Sequence, residues 1–144
     1  MNNRVNMQIK RYIFEEHGDE RGQLVALEQF HDIPFEIKRV YYMYSTIKDA
    51  IRGRHAHKSL QQILICIHGN CKLLLDDGSE KQEVTLNHPN EGIYIANNIW
   101  REMYDFSEDA VLLVLASEIY NETDYIRDYG EFLKYVAVNS SADK

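Results

Sequence analysis

Short apolar stretches recur along most of the chain, close together and separated by Gly, Asn, Asp and Pro. This rhythm limits the fold more than any other feature. Residues 62–68, Lys72–Leu75, 81–86, 92–96 and 101–106 each read as a strand. Gly69-Asn70 reads as a hairpin, and Asp77-Gly78 is a strong two-residue turn signal. The unbroken apolar run Ala110–Ala116 predicts a strand buried on both faces. Upstream, residues 7–16 form an early strand, Asp19–Gly22 a turn and Leu24–Glu28 a short apolar strand. Pro34 starts an extended piece through Phe35, Ile37, Val40 and Tyr42. So many short strands predict an all-β sandwich or barrel.

One helix is expected, at the C-terminus. Tyr125, Tyr129, Phe132, Leu133 and Val136 fall on one helical face. Thr123 caps its start, and Asp124 suits the positive end of its dipole. Gly130 inside that helix costs about 1 kcal/mol relative to Ala. Residues 139–144 read as a frayed tail, and with no linker or repeat residues 1–144 form one domain.

The sequence has 144 residues, enough for one domain with a substantial core. A net charge of −7 with no long basic run argues against nucleic acid or a membrane surface as partner. It leaves room for a local basic pocket around one anionic ligand. No apolar run approaches the ~20 residues of a membrane span. Met1–Met7 lacks the apolar core of a signal peptide. Cys66 and Cys71 flank the Gly69-Asn70 turn and read as reduced thiols of a cytoplasmic protein.

The chemistry concentrates in Arg52-Gly-Arg-His-Ala-His-Lys58. On a strand, residues i and i+2 share a face, so His55 and His57 project together. That spacing suits a pair of metal ligands. It equally suits paired proton transfer, because imidazole titrates near neutral pH. His17, His31, His68 and His88 lie near turns or polar segments and carry no such signal.

Gly53-x-His55-x-His57, with Gln62 and Gly69 following, resembles the first cupin motif; Gly92–Arg101 resembles the second. In metal-binding cupins a Glu stands near Gln62 and a final His near Arg101. The resemblance thus keeps two ligands of four and places a cation at the last, which disfavours a metal. A more specific resemblance spans nearly the whole chain. Arg21-Gly22-x-Leu24, Ile33–Tyr42, Arg52–Lys58 and Asp124–Tyr129 are similar to segments of the dTDP-4-keto-6-deoxyglucose 3,4-ketoisomerases. That resemblance implies a cupin jelly roll, a homodimer with exchanged N-terminal strands and a dTDP-linked keto-sugar substrate. It implies no metal and no other cofactor.

Moving a ketone from C4 to C3 is a tautomerisation through an enediol. It needs a base for the C3 proton, a carrier for the oxygen protons and donors that stabilise the enediolate. We expect His57 to act at carbon and His55 at the oxygens. By its place in the family pattern, Tyr41 supplies a hydroxyl, and strand parity puts it with Arg39 and Met43. The other expected substrate contacts are Arg21, Arg39, Arg52, Trp100 and Arg101, with Arg101 pointing inward. Gln61 and Gln62 have opposite parity, and Gln61 shares that of His55 and His57, so Gln61 is expected at the site. The rival readings are a nucleotide-sugar epimerase of the same fold, a metal-dependent oxygenase and a non-catalytic sugar-binding protein.

Overall fold

In the computed structural model, which describes residues 7–142 of the chain, two five-stranded antiparallel sheets face each other. The strands are β1 (Lys10–Ile13), β2 (His17–Asp19), β3 (Gly22–Leu24), β4 (Arg39–Met43), β5 (Arg52–His57) and β6 (Gln62–His68). They continue with β7 (Cys71–Asp76), β8 (Lys81–Leu86), β9 (Glu91–Ile95), β10 (Trp100–Tyr104), β11 (Val111–Ala116) and β12 (Tyr125–Ile126). The helix α1 covers Tyr129–Ala142. One sheet has the order β1-β9-β6-β11-β4 and the other β12-β5-β10-β7-β8; β2 and β3 form a separate hairpin. This is a jelly-roll sandwich, as the rhythm of short strands predicted.

The inward residues of both sheets make the main core, including Leu64, Leu73, Leu75, Val84, Leu86, Ile93, Leu112 and Val114. Period-two alternation along each strand puts them there. A second apolar layer covers the outer face of the first sheet. It joins Phe14, Ile33 and Phe35 from the N-terminal segment to Ile63, Ile65 and Leu115. β11 is therefore buried on both faces, as its unbroken apolar run requires. A third layer joins Ala56, Trp100, Ile126 and Phe132, and seats α1 on the outside of the second sheet.

Several local expectations are corrected. Gly69-Asn70 does not close a hairpin, because β6 and β7 lie in different sheets. The loop turns the corner between them, and Asn70 exchanges bonds with Ser107: Asn70 N donates to Ser107 Oγ and Ser107 N donates to Asn70 O. Asp77-Gly78 does close a hairpin, β7 to β8. The strand expected at Leu24–Glu28 ends at Leu24. Val25 and Leu27 are held by packing against the outer layer instead.

The C-terminal helix starts later than periodicity suggested. Glu122–Asp124 is a short 3-10 turn, capped by Asn121 rather than Thr123: Asn121 Oδ1 accepts from Thr123 N at 3.1 Å. Tyr125–Ile126 is then drawn into the sheet against β5. Asp128 caps α1, accepting from Glu131 N at 2.9 Å. The helix runs to Ala142, through part of the stretch read as a frayed tail. Tyr129 pins its start, donating from its hydroxyl to the buried Asp76 at 2.6 Å.

Candidate active site

A β-bulge organises the site. β5 pairs with β10 so that His55 faces Arg101, Gly53 faces Glu102 and Arg52 faces Met103. One extra residue, Arg54, is therefore inserted into β5. Gly53 and Arg54 both take left-handed backbone angles, φ 84° and 56°. A side chain at Gly53 would also collide with Met103 Sδ, 2.9 Å from where its Cβ would stand. Arg101 and Met103 share a face, so Arg52 and His55 share it too, although three residues separate them. Without the bulge, alternation would turn Arg52 away from the histidines.

Arg52, Gly53 and His55 thereby line one cavity of about 300 Å³ with Arg39, Tyr41, Met43, Met103, Tyr125 and Arg127. The parity reading of Arg39, Tyr41 and Met43 on β4 holds, since all three face this cavity. His55 is 9 % exposed at its wall. Neither of its ring nitrogens is bonded to another side chain. His57 lies deeper, 1 % exposed, with ring centroids 4.8 Å apart. Its Nδ1 is 3.0 Å from Asp124 Oδ2, while its Nε2 has no protein partner. Asp124 also accepts from the backbone and hydroxyl of Ser59, which fixes the carboxylate. The ring of Tyr125 closes the cluster, 4.9 Å from His55 and 4.3 Å from His57.

Arg101 is the buried cation of the site, 1 % exposed. Its Nε and Nη2 donate to Ile99 O at 3.3 and 3.1 Å, and its Nη1 donates to Gln62 Oε1. Gln62 in turn donates from Nε2 to the hydroxyl of Tyr41 at 2.8 Å. Burial lowers the Arg101 guanidinium only to about 10, so it stays charged at neutral pH. Burial, and then the charge of Arg101, push His55 down to about 4. The same two causes hold His57 below its ordinary range, followed by the neighbouring His55, against the opposing pull of Asp124. Both imidazoles are therefore neutral at pH 7 and able to accept a proton.

Three expected site residues are placed elsewhere. Gln61 turns away: its Oε1 accepts from Tyr94 and its N donates to Ser117 Oγ. Gln62 is the one that faces inward. The parity count failed because residues 58–61 form a turn between β5 and β6, and alternation does not carry through a turn. Trp100 is 3 % exposed on the opposite face of β10 from Arg101. It packs against Tyr129 and Phe132 and donates from Nε1 to Glu102 Oε2, so it is core beneath α1. Arg21 sits at the tip of the β2–β3 hairpin, its side chain 85 % exposed and paired with Asp19. It does not line the cavity.

Four site groups escaped the residue-by-residue reading: Asp124, Tyr125, Arg127 and Gln62. The first three stand in the Asp124–Tyr129 run, which helical spacing misread. Arg127 lies over the ring of Tyr125 at 4.2 Å and makes two bonds to Glu122, at 2.7 and 2.8 Å. Arg39 lies over the ring of Tyr41 at 5.0 Å. The cavity mouth thus carries three arginines in a chain of net charge −7. Among the described residues, no three His, Cys, Asp or Glu side chains come together as a metal site. The position opposite His55 is held by a guanidinium, which cannot ligate a cation.

Comparison with known proteins agrees with this geometry. The family model for FdtA (WxcM-like, C-terminal) matches residues 6–137. A TDP-4-oxo-6-deoxy-alpha-D-glucose-3,4-oxoisomerase of Aneurinibacillus thermoaerophilus is 51 % identical over 131 residues, 91 % of this chain and 94 % of that protein. The crystal structure of a 3,4-ketoisomerase from Helicobacter canadensis superimposes with a TM-score of 0.89 at 52 % identity, covering 92 % of this chain and 99 % of the other. The sugar 3,4-ketoisomerase QdtA of Thermoanaerobacterium thermosaccharolyticum, crystallised with TDP, gives a TM-score of 0.89 at 46 % identity, over 91 % and 96 % of the two chains. The jelly roll, the paired histidines and the matched length lead to one assignment: this chain belongs to the FdtA (WxcM-like, C-terminal) family.

Proposed function

We propose that the chain is a dTDP-4-keto-6-deoxyglucose 3,4-ketoisomerase. The observation that carries the reading is a cavity lined by the neutral imidazole of His55, by Tyr41 and by three arginines, with the second neutral imidazole, His57, packed against His55. Guanidinium groups bind diphosphate oxygens in forked pairs. Arg39, Arg52 and Arg127 hold the nucleotide end, which leaves the hexose ring against His55 and Tyr41.

The division of labour follows the cavity wall and reverses the one expected from sequence. His55 lines the cavity and neither of its ring nitrogens is bonded to another side chain, so it takes the proton from C3. The C3–H electrons form the C3=C4 bond, and the C4 carbonyl oxygen receives a proton from Tyr41. The enediol O3–H is then deprotonated, C3=O forms, and the His55 imidazolium returns its proton to C4. His57, held by Asp124 and packed against the His55 ring, supports from behind the oxygen-side transfers that Tyr41 carries. The fixed charge of Arg101 stabilises the enediolate. No step calls for an oxidant or a metal, and we expect chelators to leave turnover intact.

The same reading includes a homodimer. Residues 15–24 form an exposed hairpin, and Arg21 at its tip lies outside the cavity of its own chain, which supports a role for it at a partner's site. β4 presents Val40 and Tyr42 outward, 53 and 61 % exposed, and Tyr44 just beyond it is 65 % exposed. Exchange of N-terminal strands covers such surface. Sedimentation at micromolar concentration should give twice the chain mass; a monomer at every concentration contradicts the dimer. The reading also places the enzyme in the cytoplasm, where its buried free thiols Cys66 and Cys71 stay reduced. Among the described residues, no helix is long and apolar enough to cross a membrane.

The test is incubation with dTDP-4-keto-6-deoxyglucose and carbon NMR of the product. The expected result is a carbonyl at C3. A carbonyl still at C4 with inverted configuration at a neighbouring carbon establishes an epimerase instead. Binding without turnover establishes a sugar-binding protein.

A further inference from the structure

Gln62 opens β6 as a buried amide, 1 % exposed, in direct contact with two groups of the site. An amide has a donating and an accepting end, and its neighbours decide which way round it sits. Arg101 decides it here. A guanidinium only donates, and Arg101 Nη1 is bonded to Gln62, so the Gln62 carbonyl faces Arg101. Its NH2 group therefore faces Tyr41 and donates to the phenolic oxygen at 2.8 Å. In that bond the Tyr41 oxygen is the acceptor. Its own proton must point elsewhere, and the open side of Tyr41 is the cavity.

From these bond directions we infer that Gln62 is a positioning residue that aims the Tyr41 hydroxyl proton at the substrate's ketone oxygen. The inference rests on the ketoisomerase reading and deepens it. Burial holds the Tyr41 hydroxyl above its ordinary range, so it stays protonated in the free protein. When it gives its proton to O4, the Gln62 NH2 remains in place as donor to the new phenolate. Arg101 polarises that amide from behind, and the Arg39 guanidinium lies over the same ring. The phenolate then recovers a proton from the O3–H of the enediol as C3=O forms. Protons and electrons balance over the cycle, and Tyr41 ends as it began.

The same geometry makes the replacement of Gln62 by Glu unusually informative. A carboxylate of equal size accepts from both neighbours. Arg101 gains an ion pair, while the bond to Tyr41 reverses and draws its proton out of the cavity. A purely structural role for Gln62 therefore leaves Gln62→Glu folded and active, whereas the positioning role leaves it folded and slow. We expect kcat to fall by ~10²–10⁴-fold, the loss typical of one positioned acid–base group. The melting temperature and TDP affinity should match the wild type. With ring-labelled tyrosine, the Tyr41 carbon resonance should titrate at higher pH than in the wild type. Gln62→Met, which removes the donor without supplying a carboxylate, should also raise the Tyr41 titration and lower kcat. In a Tyr41→Phe background, Gln62→Glu should cost nothing further. Wild-type kcat in Gln62→Glu with unchanged Tyr41 titration, or a full additional loss on top of Tyr41→Phe, overturns the inference. The titration is read without substrate, so it judges the bond direction separately. A wild-type protein that leaves the ketone at C4 sinks the isomerase reading instead.

Discussion

Asp124 Oδ2 lies 3.0 Å from His57 Nδ1, joining two residues 67 positions apart in sequence. The carboxylate accepts from Nδ1–H, which puts the lone pair of His57 on Nε2, facing away from it. Asp124→Asn presents an amide that can donate to Nδ1 and trap the opposite tautomer. The expected outcome is a folded protein with kcat reduced by ~10²–10⁴-fold. Nitrogen NMR of His57 should show the exchanged tautomer. Wild-type turnover in Asp124→Asn would confine the pair to a structural role.

The acid side of the pH profile follows from burial. An ordinary histidine base loses half its activity near pH 6.5. His55 is held down to about 4, so kcat/KM should stay flat from pH 8 to below 5.5. Stability carries the corresponding sign. Above pH 6.5 the imidazole is neutral in both folded and unfolded chains. As pH falls from 6.5 toward 4, the unfolded chain binds the proton and the folded one does not, so stability is lost across that window. Melting temperature against pH should show this slope, to which His57, held down in the same way, adds, and His55→Asn should make it shallower.

Trp100 belongs to the layer beneath α1 and not to the cavity. Trp100→Phe removes ring volume and the bond to Glu102. It should cost about 1–3 kcal/mol of stability. At temperatures where it remains folded, kcat/KM should stay within twofold of the wild type. A rise in KM without loss of stability would return Trp100 to the substrate.

Deletion of Gly53 and Arg54 together removes the bulge and makes Arg52 and His55 neighbours on the strand, while leaving every site side chain in the sequence. Alternation then carries Arg52 to the outer face. Affinity for TDP should fall at least tenfold, with kcat reduced as well. Arg54→Gly keeps the bulge and suits the left-handed backbone, so it should bind TDP like the wild type. Equal affinity in the deletion variant would show that the bulge does not aim Arg52.

The sandwich was legible because buried strands leave period-two and unbroken apolar runs, and most strands fell where those runs stood. The inward face of Arg39, Tyr41 and Met43, and the shared face of His55 and His57, came from the same alternation. It failed where the backbone departs from it. Gln61 and Gln62 exchanged places across a turn, and Arg52 joined His55 through a bulge that no composition signal announces. Trp100 was misplaced because its partners, Tyr129 and Phe132, come from a helix whose docking face is set by packing. Asp124 and Tyr125 were hidden by their spacing to Tyr129, which mimics a helical repeat. Strand pairing to His57 and Ala56 outweighs that local preference.

The central claim is that His55 exchanges a proton with substrate carbon. It is tested most directly by incubating wild type, His55→Asn and His57→Asn with dTDP-4-keto-6-deoxyglucose in heavy water and following deuterium at C3 by NMR. Wild type should exchange C3 and deliver the 3-keto product with deuterium at C4. His55→Asn, folded by its melting curve, should show no exchange at C3, while His57→Asn retains slow exchange with little product. Normal exchange in folded His55→Asn contradicts the account.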